Sequence, residues 1–367
     1  MLISAVRLNV SEQGDNLKFE WSTQTHLFTP YCVNAERVRK AGEEVRSQLR
    51  AIADKYRGTG ARYSKEDLKE LAVRGRKLFA ALFFATAGDD SSADYLSEKI
   101  SEMTNRVDLT IFTDGNVTIP WNFIFRHDPN EIKELANDLS DFAGFWTTVF
   151  NPTVRFNKLQ LPCESAISKK NLKTLFAVHE ERFDSACQLL KRNPPLLEKL
   201  DKLLKQEVGE TTNWTDCKDK WKAIGDNDSV VYIFGHSDGT HIYLNDPKEG
   251  EEPSEEYALD TTGFLTAFPK KRDSSSNTVC FINGCRTANG SLGDGFLSVT
   301  SGRGFHGFVG CEAEITNEFA TEYAAEFLYL LCEAGLSISA AMELLRVRLF
   351  PLSLWYSCYA DPEFRIE

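Results

Sequence analysis

The sequence predicts an α/β protein built on a mostly parallel central sheet. Three runs, "LKTLFAV" (172–178), "VVYIFG" (230–235) and "TVCFING" (278–284), have strand length and are rich in β-branched and aromatic residues. Segments at helical spacing lie between them, near 181–205 and 261–268. Strands separated by helices imply parallel pairing through right-handed crossovers.

The remaining elements follow in chain order. "LISAVRLNV" and "NLKFEWS" alternate around the turn-forming "SEQGD", which predicts a β-hairpin, read as an accessory element over residues 1–33. Residues 34–57 and 64–85 are helical, the second opening with a capping box, Ser64-x-x-Asp67, and "SADYLSEKISEMTN" adds a third helix. "RVDLTIFTDGNVTIPWNFIF" reads as strand, Asp114-Gly115 turn and second strand, with Pro120 marking that strand as an edge or an irregular start. A helix near 130–146 precedes the regular part. After 284 come a short helix from about 295, the apolar "GFHGFVG", helices 317–334 and 337–349, and a last strand, "LWYSCYA". The expected organisation is a domain over 34–367, with a helical part 34–105 and an α/β catalytic part 106–367.

Composition narrows the function. The chain has 367 residues, 42% hydrophobic and 26% charged, and no run of about 18 apolar residues that would span a membrane. Its N-terminus lacks the basic and apolar regions of a secretory signal, so a soluble, cytoplasmic protein is expected. A formal charge of -12 argues against direct nucleic-acid binding, which needs clustered Lys and Arg. Nine cysteines occur without a C-x-x-C pair, so neither a zinc site nor a disulfide framework is expected, and no metal or other cofactor.

One cysteine stands apart. In a parallel sheet, functional groups collect at the carboxyl ends of strands, where loops can meet a ligand. "VVYIFGHSDG" delivers His236 there, after Gly235, and "TVCFINGCRTANG" delivers Cys285, after Gly284. A thiolate is a nucleophile and an imidazole can take its proton, so this pair suits acyl transfer. The oxyanion would meet backbone N–H donors: Cys285 itself, and Ser237 or Gly239 from the "HSDG" turn.

Taken together, "VVYIFGHSDG", "TVCFINGCRTANG", "GFHGFVGCEAEITNEFATEYAAEFLYLLCEAGLSISAAMELLR" and "WYSCYADPEF" resemble the CHAT family, the caspase-like cysteine peptidases of clan CD. "LTIFTDGNVTIPWNFIF" resembles that family's upstream hairpin, so the likeness covers roughly residues 35 to 362. The resemblance implies a caspase-hemoglobinase fold and an endopeptidase with His236 as base and acid and Cys285 as nucleophile. It also implies a defence or cell-death role, cleaving a protein partner such as a gasdermin-like pore former, with an activator or sensor subunit. The separation from 236 to 285, 49 positions, agrees with the spacing of about 50 known for caspases. Two positions depart from the family pattern: Ser237 stands where Gly usually follows the histidine, and Asn122 where Glu is common.

Other residues compete for these roles. His179 also ends a strand and is placed near the cleft without serving as the base. His241 and His306 could approach as well, yet His241 fits a strand returning from the turn, and His26 and His127 are read as structural. Glu180, Glu181, Glu312, Glu314 and Asp294 are the carboxylates at strand ends, with Asp294 and Glu312 ranked first for binding substrate; an acidic lining favours a basic residue before the cut. Thr287 and Ser291 are weaker nucleophiles than Cys285. The acidic 245–260 and basic 269–277 loops read as solvated surface beside these motifs. The alternative from another class is an inactive caspase-like module that binds a peptide as an added strand.

Overall fold

The computed structural model describes residues 5–56, 63–84, 96, 98–99, 107–113, 118–132, 142–156, 166–191, 193–204, 210–246, 254–270, 277–288, 295–302 and 305–367. By their contacts they form two units, Met1–Asn157 and Lys158–Glu367.

In the first unit, β1 (Ala5–Gln13) and β2 (Asn16–Thr23) make the expected hairpin, with Gly14 at φ +60 in the turn. Alternation buries Val6, Leu8 and Val10 on one strand and Leu17, Phe19 and Trp21 on the other. The hairpin does not stand alone. β3 (Tyr31–Asn34) pairs with β2, β4 (Val107–Thr113) runs parallel to β1, and β5 (Phe150–Phe156) runs parallel to β4, giving the order β3-β2-β1-β4-β5. Helices Ala35–Tyr56 and Lys65–Phe83 accompany this sheet, with Phe83 against both Trp21 and Trp146.

The strand expected to return after Asp114-Gly115 is replaced. The turn itself lies outside the described residues, while Trp121–Phe123 form a 3₁₀ turn behind Pro120, which has no N–H to give a ladder. Of the helix expected over 92–105, Leu96, Glu98 and Lys99 are described and are helical, while most of that over 130–146 lies outside the described residues. The described ends of the latter are 3₁₀ turns, Pro129–Glu131 and Trp146–Thr148.

The Ser64 capping box is present as expected, and Asp67 does more than cap. Its carboxylate accepts from Lys55 Nζ (2.8 Å), Tyr56 Oη (2.6 Å), Ser64 N (2.8 Å) and Ser64 Oγ (2.6 Å). Burial alone would raise its pKa, but the bonds from Lys55, Ser64 and Tyr56 outweigh it and hold the group at about 2. A depressed carboxylate stabilises above its unfolded pKa and stops doing so as pH falls through the folded value. Asp67→Ala is therefore expected to cost about 1–3 kcal/mol at neutral pH, and the deficit should vanish as pH falls towards about 2. Urea unfolding at several pH values would check both.

In the second unit, β7 (Lys173–Val178), β9 (Ser229–Phe234), β13 (Thr278–Asn283) and β14 (Gly307–Cys311) are almost wholly buried, as the continuous apolar runs require. Its short strands are β6 (Ala166–Ile167), β8 (Glu210–Thr211), β10 (His236–Ser237), β11 (His241–Tyr243), β12 (Ala258–Asp260) and β16 (Arg365–Ile366). With β15 (Tyr356–Ala360) the main sheet has the order β15-β14-β13-β9-β7-β8, and only β15 is antiparallel to its neighbour. The helix expected over 181–205 is two, Glu180–Leu190 and Pro194–Leu204, because Pro194 and Pro195 lack the N–H that would continue the first. Helix Trp214–Ile224, opened by Asn213 Oδ1 on Asp216 N (2.8 Å), completes the crossover to β9.

This order positions the site. From β7 the chain steps outward to β8, whereas from β9 it steps the other way through β13 to β14. Right-handed crossovers therefore leave on opposite faces, and the loops part at the carboxyl ends of β7 and β9.

Candidate active site

Registers bring the two expected reactive residues to one edge. Phe234 of β9 is opposite Asn283 of β13, so His236 and Cys285 each lie two residues beyond a matched pair. The intervening glycines touch: a Cβ on Gly284 would lie 3.1 Å from the Gly235 carbonyl oxygen and 3.2 Å from Ser237 Cβ. Asn283 fixes the end of β13, donating to Tyr232 Oη (3.0 Å) and the Ala320 carbonyl (2.8 Å) and accepting from Tyr356 Oη (2.7 Å).

Beyond Cys285 the backbone turns sharply. Arg286 has φ +57, the one positive value at a non-glycine among the described residues, and such a conformation costs of order 1–3 kcal/mol. It is held from several sides. Ala288 N donates to Cys311 O (2.9 Å), Thr287 Oγ donates to Ile282 O (2.9 Å) and accepts from Cys311 N (3.1 Å), and the Arg286 guanidinium pairs with Glu314, Nε at 2.6 Å. Thr287 is thereby a buried structural residue, not a free hydroxyl. Ser291 lies outside the described residues.

The thiol is half-buried. Burial pushes its pKa up, a backbone N–H of Ile315 bonded to the sulfur pulls it down, Glu314 pushes it up, and Arg286 and Arg182 pull it down; the balance is upward. The resting group is a thiol, and among the described residues its sulfur makes no hydrogen bond to His236. Its backbone N–H has no hydrogen-bond partner among the described residues. Gly239 N is engaged by Ser237 Oγ (3.1 Å), which removes it from the expected oxyanion role. Ser237 does not have a positive φ, so its side chain imposes no strain on the turn.

His236 pairs with Tyr243 across β10 and β11, and its ring stacks on the tyrosine at 5.7 Å and 28°. Asp238 shapes the turn: Oδ1 accepts from Thr240 N (2.7 Å), Thr240 Oγ (2.7 Å) and His241 N (2.8 Å), and Oδ2 from Tyr243 Oη (3.1 Å). Burial would raise Asp238, but these bonds hold it at about 2. His236 is lowered from the usual histidine value, first by burial and then by Arg182, with Asp246 and Asp238 opposing. It is a neutral imidazole at pH 7, the form that accepts a proton.

The other buried histidines occupy different positions, and His306, which could have approached, does not. His179 sits at the end of β7, fully buried, its N–H on Phe234 O (2.7 Å). His306 bonds to Thr278 at the start of β13, the opposite end of the sheet from Cys285. The substrate-binding expectations fare differently. Glu312 is fully buried, with Oε1 accepting from Ser357 Oγ (2.5 Å), so it presents nothing to a substrate; its side chain turns inward at the end of β14. Asp294 lies outside the described residues. Glu314, two positions beyond Glu312, faces the nucleophile instead, and its Oε2 is buried without a hydrogen-bond partner. Arg182 and Asp246, which sequence reasoning did not single out, border the same edge: Asp246 Oδ2 accepts from Arg182 Nε (3.1 Å) and Nη2 (2.7 Å). Among the described residues no group of three or more His, Cys, Asp or Glu is placed to hold a metal, and no helix is long and apolar enough to cross a membrane.

No protein-family model matches the chain, and no curated protein does. Solved structures do. The Saccharomyces cerevisiae separase-securin complex at 3.0 Å resolution matches at a TM-score of 0.53 and 10% identity over 100% of this chain, and the 2.6 Å structure of that complex at 0.49 and 11% over 99%. The chain spans 30% of the separase chain in each. At that identity the likeness is one of fold: a mixed α/β, caspase-like architecture.

Proposed function

We propose that the protein is a cysteine endopeptidase in which Cys285 attacks the scissile carbonyl and His236 takes its proton. The carrying observation is the register that sets both residues two positions past matched strand ends, with two glycines in contact between them. The thiol proton passes to the imidazole as sulfur bonds to carbon; the backbone N–H groups of Cys285 and Ser237 receive the oxyanion; the imidazolium then protonates the leaving amine. Water, activated by the same imidazole, releases the acyl group.

The substrate is a protein. The neighbouring fold is that of a separase bound to securin, and the motif resemblance to CHAT peptidases points to cleavage of a partner protein in a defence or cell-death response. We assign substrate choice to Glu314 in place of the buried Glu312. Oε1 holds Arg286 and the side chain keeps 14% exposure, so the negative charge of the carboxylate would favour a basic residue before the cut. Hydrogen bonds to charged groups contribute about 1.5–3 kcal/mol, so Glu314→Gln should reduce the preference for a basic residue by about 10- to 100-fold. Cleavage-site profiling on a peptide library reads that ratio; an unchanged ratio removes Glu314 from recognition.

The decisive experiment is mass-spectrometric detection of cleavage on proteome-derived peptides by the wild type, Cys285→Ala and His236→Ala. Cleavage by the wild type alone establishes the dyad. Cleavage by all three refutes it, and no cleavage with slow, unselective alkylation of Cys285 favours an inactive peptide-binding module.

A further inference from the structure

A base that takes a proton in a half-buried site becomes a cation that needs an anionic partner. Among the described residues no hydrogen bond reaches the His236 ring, which stacks on the face of Tyr243. The charged and titratable groups around it come from four elements. They are His179 at the end of β7, Arg182 on helix Glu180–Leu190, Asp238 in the turn, and Asp246 in the loop beyond β11, with Tyr243 beneath the ring.

The two carboxylates differ in what they have left to give. Asp238 uses both oxygens, on Thr240 and His241 and on the Tyr243 hydroxyl. Asp246 uses one. Its Oδ2 takes both Arg182 bonds and stands 3.4 Å from His179 Nε2, while Oδ1 has no partner among the described residues and the side chain is 43% exposed. His179 is 1% exposed, both its ring nitrogens are unbonded, and burial keeps it from charging, so it acts as a neutral wall behind Asp246. That wall is tied to the site: the His179 N–H bonds the Phe234 carbonyl, two residues before His236.

We propose that Asp246 is the positioning residue of the His236 base: anchored through Oδ2 by Arg182 and backed by His179, it offers Oδ1 to the imidazolium formed when Cys285 gives up its proton. The inference rests on the dyad reading above. The proton moves from sulfur to one ring nitrogen of His236, the N–H of the other ring nitrogen donates to Asp246, and Asp246 stays ionised throughout. Arg182 has two effects of opposite sign, since it orients Asp246 and its own charge disfavours the imidazolium.

The test needs no known substrate. Alkylation of Cys285 by iodoacetamide in the full chain is followed by peptide mass spectrometry from about pH 4 to about pH 9, with exposed Cys32 as an internal reference. The wild type should show an inflection that His236→Ala removes. Asp246→Asn should move it to lower pH by about one unit, Arg182→Gln should move it to higher pH, and Asp246→Glu should restore most of the wild-type position. Opposite shifts from two bonded partners are not what a merely structural pair gives, since loss of packing moves both the same way. An inflection unmoved in folded Asp246→Asn overturns the inference and leaves the dyad standing. Should that variant fail to fold, an unmoved inflection in folded Asp246→Ser overturns it equally. A wild type without any His236-dependent inflection overturns the dyad, and this inference with it.

Discussion

Cys285→Ala and His236→Ala are each expected to lower kcat/KM by about ten-thousand-fold or more, and the double variant to be no worse than the slower single one. The reason is that in the proposed mechanism the two residues perform one proton transfer. Burial and Glu314 keep the Cys285 thiol protonated, so without an imidazole to take the proton the nucleophile is nearly absent, and without sulfur the imidazole has nothing to activate. The residual rate would come from the oxyanion donors, which neither substitution removes. The same electrostatics fix the pH dependence. His236 is functional when neutral, and burial with Arg182 lowers its pKa, so activity should persist below the ordinary histidine value of 6.5 and fall only at lower pH. A kcat/KM profile on a cleaved peptide reads this directly; additive losses in the double variant would show two independent roles.

How much of this was legible follows from what each residue packs against. β7, β9 and β13 could be read because burial on both faces demands unbroken apolar runs, and a run that ends in glycine and a polar residue marks the strand end. That signal singled out His236 and Cys285 as candidates. The membership of β1 in a five-stranded sheet could not be read, because parallel pairing with β4 joins residues about a hundred positions apart and leaves no local trace. β5 was hidden by Pro152, and helix Trp214–Ile224 by its polar composition, although Trp214, Cys217, Trp221 and Ile224 form its buried stripe. Glu312 and Glu314 both follow β14, yet one bonds Ser357 in the interior and the other pairs with Arg286 beside the thiol, and composition cannot distinguish them. Asn283 did carry a signal, a lone amide in an apolar strand, and its three bonds explain it. Arg182 and Asp246 carried none: each is an ordinary charge in a polar segment until the sheet brings them together.

Gly235→Ala is the other change with a large expected effect, and comparison with Gly284→Ala gives it a sharp form. A Cβ at 235 would lie 2.7 Å from the Tyr243 carbonyl oxygen and 2.8 Å from Ile242 Cγ2. The first contact is backbone of the strand paired with His236, so it cannot be relieved by a side chain turning aside; β11 must move, and His236 moves with it. A misplacement of about 1 Å at a reacting group costs about 100-fold in rate, and forcing a methyl into a packed site costs about 1–3 kcal/mol in stability. At 284 the nearest atoms are 3.1, 3.2 and 3.3 Å away, tight contacts that shifts of a few tenths of an ångström relieve. Gly284→Ala should therefore keep more activity than Gly235→Ala, although it adjoins the nucleophile and the other adjoins the base. Measuring kcat/KM and the unfolding midpoint of both separates geometry from stability: the Gly235 variant should lose rate beyond what its unfolded fraction explains. Equal activity in the two variants would mean that the approach of β9 to β11 does not set the position of His236, and the close glycine contact would then be a feature of packing alone.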